Sequence, residues 1–115
     1  MVNEYVPDAG HIVWISLDPQ LGREQSGRRP FLVLTKGAYN AKTSLAVGVP
    51  ITSKRKGYPF EVDLPEFGTI GGVVLVDHVK SLDWRARLAE FEQSAEPETL
   101  FRVRRLLGIF LELTE

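Results

Sequence analysis

Short apolar runs of strand length, separated by segments that contain Gly and Pro, cover the chain from residue 11 to residue 91. The run His11–Leu17 is β-branched and aromatic and predicts a strand, whereas residues 18–30 carry two Gly and two Pro and predict a loop. Gly37–Asn40 predicts a turn or one short helical turn. Further strands are predicted at Phe31–Thr35, Leu45–Ile51, Tyr58–Leu64, Gly72–Val76, Lys80–Trp84 and Arg87–Phe91.

The hydrophobic period changes in the last part of the chain. Apolar residues at positions 100, 103, 107 and 110 follow helical spacing, so Pro97–Leu113 is predicted to be an amphipathic helix. Pro97 suits the first turn, where its missing N–H would have no partner within the helix. We therefore expect one domain over residues 1–115, mainly β, with a predominantly antiparallel sheet or small barrel closed by a C-terminal helix.

Composition excludes several classes of function. The chain has no Cys, which removes disulfides, thiolate metal sites and thiol nucleophiles. Its two His residues, His11 and His78, have no Glu at helical ligand spacing, so we expect no metal and no cofactor. Neither a secretory leader nor an apolar run of about 18 residues is present in the sequence, which predicts a cytoplasmic protein without a membrane partner.

The formal net charge of -1 hides a strong segregation of charge. Residues 23–57 carry eight Lys and Arg residues against one acid, Glu24, while residues 58–100 carry nine acids against three bases. A basic segment that folds onto one face can bind a polyanion while the whole molecule stays near neutral. The alternative is that these Lys and Arg side chains are merely solvated in loops.

Two polar clusters within the basic segment combine groups suited to an anionic substrate. Gly22–Pro30 brings Glu24 and paired arginines onto a Gly-containing loop, which offers a base, fixed positive charge and a backbone that can approach a substrate closely. Thr52–Tyr58 places hydroxyls beside cations and an aromatic ring that can stack on a base. Either loop alone is more often a turn with solvated charges, but together they indicate a phosphate-containing ligand.

Six motifs extend in order along nearly the whole chain: Tyr5-Val6-Pro7-Asp8-x-Gly10, Glu24-Gln25-x-Gly27-x-Arg29-Pro30, Tyr39-Asn40-x-Lys42-Thr43, Val49-Pro50-x-Thr52, Lys56-Gly57-Tyr58-Pro59-Phe60-Glu61-Val62 and Asp77-x-Val79-Lys80-Ser81. In these motifs the sequence resembles the MazF family, the toxins of bacterial type II toxin–antitoxin pairs. The resemblance implies an SH3-like barrel of the MazF/CcdB type and a homodimer. It also implies a sequence-specific endoribonuclease, or mRNA interferase, that cuts single-stranded RNA without a metal and leaves 2′,3′-cyclic phosphate and 5′-hydroxyl ends.

By the same resemblance, the catalytic positions fall on Glu24, Arg29 and Thr52. We expect Arg29 to stabilise the phosphorane, Thr52 to position the scissile phosphate and Glu24 to transfer a proton. Position 28, often His in the family, is Arg28 here, so the group that protonates the leaving 5′-oxygen stays open. RNA contacts are expected from Gln25, Gly27, Arg28, Asn40, Ser53, Lys54, Lys56, Tyr58 and Asp77.

The resemblance further implies a MazE-like antitoxin, whose acidic flexible tail would occupy the RNA-binding surface. Two other functions compete with the ribonuclease. A CcdB-like gyrase inhibitor of the same fold acts through a C-terminal Trp, but the Trp residues here are Trp14 and Trp84, which disfavours it. An RNA-binding module without catalysis would retain RNA and leave it intact.

Overall fold

A computed structural model describes residues 4–16, 27–65 and 69–113 of the chain. In these ranges seven strands pair antiparallel in the order β4-β5-β3-β2-β1-β7, with β6 also paired to β3. The elements are β1 (His11–Ser16), β2 (Arg28–Val33), α1 (Gly37–Thr43), β3 (Leu45–Thr52), β4 (Glu61–Asp63), β5 (Val73–Leu75), β6 (Lys80–Asp83), β7 (Glu90–Ser94) and α2 (Pro97–Phe110).

Strand β3 is the centre of the sheet because it pairs with three neighbours. One edge pairs with β2, and the other pairs first with β6 over residues 45–48 and then with β5 over residues 51–52. Pro50 lies between these two pairings, where a proline that cannot donate a backbone hydrogen bond is tolerated. Strand β3 therefore changes its neighbour on this edge at Pro50, and it ends at Thr52.

Both faces of the sheet are buried. One core cluster contains Ile12, Leu32 and Val49 and packs against Val103 of α2. A second cluster, which includes Phe31 and Trp84, covers the opposite face. Burial on both faces explains why the sequence shows continuous apolar runs at β1, β2 and β3 instead of strict alternation. Strand β4 differs, since Val62 is buried and Asp63 is exposed, as its alternation predicts.

The predicted strands are confirmed as elements, but several of their boundaries are wrong. Strand β2 begins at Arg28, inside the predicted loop, because residues 28–30 pair with β1 only and Pro30 therefore lies in an edge segment. Residues 58–60 are not in a strand, and β4 is only Glu61–Asp63. Strand β7 starts at Glu90 instead of residue 87, because residues 84–88 form turns.

Helix α2 starts at Pro97 as predicted and ends at Phe110, before the predicted end at Leu113. Val103 is fully buried and attaches the helix to the first core cluster. Several apolar side chains of the helix remain exposed, among them Phe101 and Ile109. No helix in the described ranges has the length and apolar character required to cross a membrane.

We expect Gly48→Ala to destabilise the fold. A Cβ at Gly48 would lie 2.2 Å from the Leu32 carbonyl oxygen and 2.6 Å from the Phe31 ring. Forcing a methyl group into a packed core typically costs about 1–3 kcal/mol. Gly71→Ala is the control, because a Cβ there meets no atom within 4 Å. Urea unfolding measures the effect, and equal midpoints for the two variants would contradict it.

Candidate active site

A cavity of about 330 Å³ opens where β2 begins and β3 ends. It contains two of the three residues predicted to be catalytic, Arg29 and Thr52. Its wall is formed by Trp14, Arg28, Arg29, Pro30, Ile51, Thr52, Ser53, Lys54, Thr69, Ile70 and Gly71. The structure thus brings both polar clusters of the sequence to one place, although they lie on different strands.

The register between β2 and β3 is the reason that Arg29 and Thr52 meet. Phe31 lies opposite Pro50 in this antiparallel pair. Arg29 is two residues before Phe31, and Thr52 is two residues after Pro50, so both lie beyond the same end of the ladder. Because side chains alternate with a period of two, both also belong to the face on which Phe31 and Pro50 project.

The hydroxyl of Thr52 is oriented by the chain that follows it. Thr52 Oγ1 accepts a hydrogen bond from the backbone N–H of Lys54 at 3.1 Å, which leaves the hydroxyl proton available to donate. Gly72 packs directly on the backbone of Thr52, where a Cβ would lie 2.2 Å from the Thr52 carbonyl oxygen. The φ of Gly72, +110°, also favours glycine. This close approach sets the position of Thr52.

Arg28 and Arg29 are neighbours with different roles. Arg29 is exposed, and in the described part of the chain no acidic side chain lies within ion-pairing distance of its guanidinium. The guanidinium of Arg28 instead donates to the Leu88 carbonyl at 2.8 Å and to Glu90 at 2.9 Å. Although Arg28 borders the cavity, these bonds link β2 to β7 and the turn before it. These bonds give Arg28 a structural role, and its contact with RNA stays a prediction.

A second cavity, also of about 330 Å³, adjoins the first and shares Thr52 and Lys54 with it. Its wall is formed by Thr52, Lys54, Lys56, Tyr58, Glu61, Leu75 and His78. Because the two cavities share Thr52 and Lys54, we refer to them together as the groove. Arg29 lines the first cavity, and Lys56 and Tyr58 line the second.

Tyr58 presents an aromatic surface whose orientation is held by Asp77. The Tyr58 hydroxyl donates to Asp77 Oδ2 at 2.7 Å, and the ring packs edge-on against Phe60. This hydrogen bond, together with the negative charge of Asp77, raises the pKa of the Tyr58 phenol, so the group stays a neutral donor. The side chain is 42% exposed, which leaves part of the ring available for stacking on a base.

Residues 8–111 match the PemK-like, MazF-like toxins of type II toxin–antitoxin systems. The chain belongs to this family. It is 43% identical to the endoribonuclease toxin MazF of Escherichia coli strain K12 over 96% of this chain and 99% of the relative. The predicted family is therefore confirmed.

Solved structures of MazF proteins have the same fold as this MazF-like toxin. MazF of Deinococcus radiodurans is 54% identical, with a TM-score of 0.87 over 95% of this chain and 99% of that one. A MazE–MazF complex from the same organism is 53% identical, with a TM-score of 0.91 over 96% of this chain and 100% of that one. The predicted antiparallel sheet with a C-terminal helix is confirmed.

The prediction that Asn40 contacts RNA is wrong. Its side chain is fully buried, donates to the carbonyls of Pro7 at 2.8 Å and Thr35 at 2.9 Å, and accepts from the Thr35 hydroxyl at 2.7 Å. The Asn40 carbonyl also accepts the indole N–H of Trp84. A side chain enclosed and satisfied in this way cannot contact RNA. It joins α1 to the N-terminal segment.

The remaining predicted residues differ in where the structure places them. Glu24 and Gln25 lie outside the described residues. Ser53, Lys54, Lys56 and Tyr58 lie on the groove, whereas Asp77 is adjacent to it and reaches it through Tyr58. Gly27 precedes β2, and a Cβ added to it would meet no atom within 4 Å.

Across the described ranges, no group of three or more His, Asp or Glu side chains could hold a metal ion.

One part of the cavity wall was not predicted from the sequence. The indole N–H of Trp14 donates to Glu92 at 3.0 Å, and the Thr69 hydroxyl donates to the same carboxylate. These two hydrogen bonds lower the pKa of Glu92. They attach the segment containing Thr69 to β1 and β7. No local pattern predicts this contact, because its members are distant in sequence.

Asn40→Ala should reduce stability by about 2–4 kcal/mol, because it leaves buried carbonyls and a hydroxyl without their partner. Lys42→Ala on the exposed side of α1 is the control and should change stability by no more than about 0.5 kcal/mol. Urea unfolding gives both values. Binding of single-stranded RNA by the folded protein should be unchanged in Asn40→Ala, and a selective loss of binding would show that Asn40 contacts RNA after all.

Proposed function

We infer that this MazF-like toxin is an endoribonuclease, the activity for which its curated relatives are named, and we propose that it cuts single-stranded mRNA at a short motif. The observation that carries the proposal is that Arg29 and Thr52 line one cavity. A guanidinium that has no acidic partner among the described residues, beside an oriented hydroxyl, suits a phosphate that gains negative charge during reaction. Because the substrate is mRNA, we place the activity in the cytoplasm.

The proposed reaction is transphosphorylation within the RNA chain. The 2′-oxygen attacks the adjacent phosphorus, the bond to the 5′-oxygen breaks, and the products are a 2′,3′-cyclic phosphate and a 5′-hydroxyl. This step needs a base for the 2′-hydroxyl proton, stabilisation of the phosphorane and a proton for the leaving oxygen. We assign Arg29 to phosphorane stabilisation and Thr52 to a hydrogen bond that positions the phosphate. Glu24 is our proposed proton-transfer group, and no resident metal is required.

Residues of the groove support the proposed preference for single strands. Tyr58 offers a ring for stacking, which requires an unpaired base, and Lys54 and Lys56 provide charge for the backbone. In the described residues neither lysine has a carboxylate within ion-pairing distance. These contacts supply affinity that depends little on sequence. Recognition of a base sequence therefore requires contacts other than these.

We further propose that the protein acts as a homodimer and is neutralised by a MazE-like antitoxin. Helix α2 and the residue that follows it leave Phe101, Ile109, Phe110 and Leu111 exposed, and an apolar surface of this kind supports a subunit interface. The positive groove is a suitable receptor for an acidic tail. The related Deinococcus toxin has been crystallised as a MazE–MazF complex.

The ribonuclease proposal predicts cleavage of a long RNA in EDTA, with cyclic-phosphate ends at one recurring motif. Arg29→Ala should lower the cleavage rate by about 10²–10⁴-fold, because the phosphorane loses its cation. Lys42→Ala removes a positive charge on α1, outside the groove, and should cleave normally. Mapping of RNA ends measures both variants. RNA that is bound but left intact would indicate the binding module, and gyrase inhibition without RNA cleavage would indicate the CcdB-like function.

The antitoxin proposal predicts binding that weakens with salt. Raising NaCl from about 50 to 500 mM should reduce affinity for an acidic antitoxin tail by at least about tenfold, because the contacts are between exposed charges. Calorimetric titration measures this change. Replacing Lys54 and Lys56 together with Ala should flatten the salt dependence. An affinity that is independent of salt would contradict the electrostatic receptor.

A further inference from the structure

An acidic side chain lies on the wall of the groove that we assign to RNA. Glu61 lines the second cavity together with Lys54, Lys56 and Tyr58. A carboxylate that faced the substrate there would repel the phosphates that the lysines attract. The position of Glu61 therefore requires a physical explanation.

Backbone amides provide that explanation. Glu61 Oε2 accepts the N–H of Lys56 at 3.0 Å, and Glu61 Oε1 accepts the N–H of Gly57 at 3.0 Å. Consecutive N–H groups that converge on one point form a site for an anion. Here the protein's own carboxylate occupies that site. The negative charge is directed at the backbone, and in the described residues the Lys56 ammonium has no ion-pair partner.

Glu61 supplies the acceptors for the N–H groups of Lys56 and Gly57, whereas the rest of the loop is held by the Arg55–Asp63 pair, the Tyr58–Asp77 hydrogen bond and backbone hydrogen bonds at Tyr58 and Phe60. Residues 53–60 connect β3 to β4 without belonging to a strand. Gly57 has a φ of +76°, which glycine adopts without steric cost but which glycine alone does not enforce. Hydrogen bonds to an ionised acceptor are roughly twice as strong as neutral ones, so the Glu61 carboxylate selects one conformation of this turn.

The same loop carries the groups expected to contact RNA. Lys54, Lys56 and Tyr58 reach the second cavity from it, and Tyr58 is also held by Asp77. A loop that sampled several conformations would present these side chains together only part of the time. The affinity for a ligand falls by the fraction of molecules that are in the binding-competent state.

We propose that Glu61 is a positioning residue for RNA binding: its carboxylate fixes the turn at residues 56–58 so that Lys54, Lys56 and Tyr58 face one groove together. This inference rests on the proposed function, since it takes RNA as the ligand of the groove. Glu61 lines the second cavity and is not among the residues that line the first, which contains Arg29. Removal of the Glu61 carboxylate is therefore expected to affect substrate binding and to leave the chemical step unchanged.

Asp63 offers a matched control for this proposal. It lies two residues further along β4, is exposed, and pairs at 2.8 Å with the guanidinium of Arg55, a residue of the same loop. The control therefore releases one loop side chain but leaves the N–H groups of Lys56 and Gly57 bound to Glu61. Glu61→Gln and Asp63→Asn each remove one negative charge from the same strand. If charge alone mattered, both variants would bind RNA at least as well as the wild type. If positioning matters, Glu61→Gln weakens RNA binding, whereas Asp63→Asn leaves it equal or stronger.

The test compares the two variants in cleavage of a long RNA and in binding of a labelled random-sequence 2′-O-methyl RNA pool, which lacks the attacking hydroxyl. Glu61→Gln should raise KM about 5–10-fold with kcat within about twofold, and should weaken pool binding by a similar factor. In Gln, an NH₂ donor takes the place of one of the two carboxylate oxygens. That NH₂ would face a backbone N–H, so the side chain keeps only one of the two acceptor oxygens. Asp63→Asn should leave KM and pool affinity equal or improved.

Equal effects of Glu61→Gln and Asp63→Asn on KM and pool affinity would overturn the proposal. Gly57→Ala is a second variant in case Glu61→Gln does not fold. A Cβ at Gly57 meets no atom within 4 Å, so the substitution strains only the turn and should also raise KM. If the wild type binds the pool but does not cleave RNA, the ribonuclease proposal fails while the pool binding still tests Glu61.

Discussion

The pairing of β2 with β3 is the interaction on which the site depends. Its register, with Phe31 opposite Pro50, brings Arg29 and Thr52 to the same end of the sheet and to the same face. A slip of one residue would place Arg29 and Thr52 on opposite faces of the sheet and would exchange the side chains that fill the two core clusters. The buried Phe31 and the close approach of Gly48 to it hold this register. The packing of the core and the geometry of the cavity therefore have one cause.

The tertiary structure separates basic residues that the sequence groups together. Arg28 and Arg55 form surface ion pairs with Glu90 and Asp63, so part of their charge is compensated by the protein's own carboxylates. The exposed cations Arg29, Lys54 and Lys56 line the groove. A net charge of -1 is thus compatible with a positive groove, because most acids lie in other segments of the chain. Glu61 lies in the groove, but its carboxylate is directed at backbone amides.

Local patterns predict the elements well and their ends less well. Periodicity identifies α2 from Pro97 and the alternating strand that contains Val62, because each pattern depends on which side chains face the core. The predicted loop containing Pro30 is too long, since proline normally indicates the end of a strand. Residues 28–30 pair on one side only, and a proline there removes no hydrogen bond that the sheet needs.

The sequence by itself determined the family, the fold class and the residue types of the site, because these follow from motifs, hydrophobic period and charge that are all local. Only the tertiary structure decided what individual polar residues do. Asn40 lies within a family motif but is fully buried, with partners at Pro7 and Thr35. Glu61 alternates as a solvent-facing strand residue would but caps a turn. A hydrogen bond depends on where two chain segments meet in space, which neither segment encodes alone.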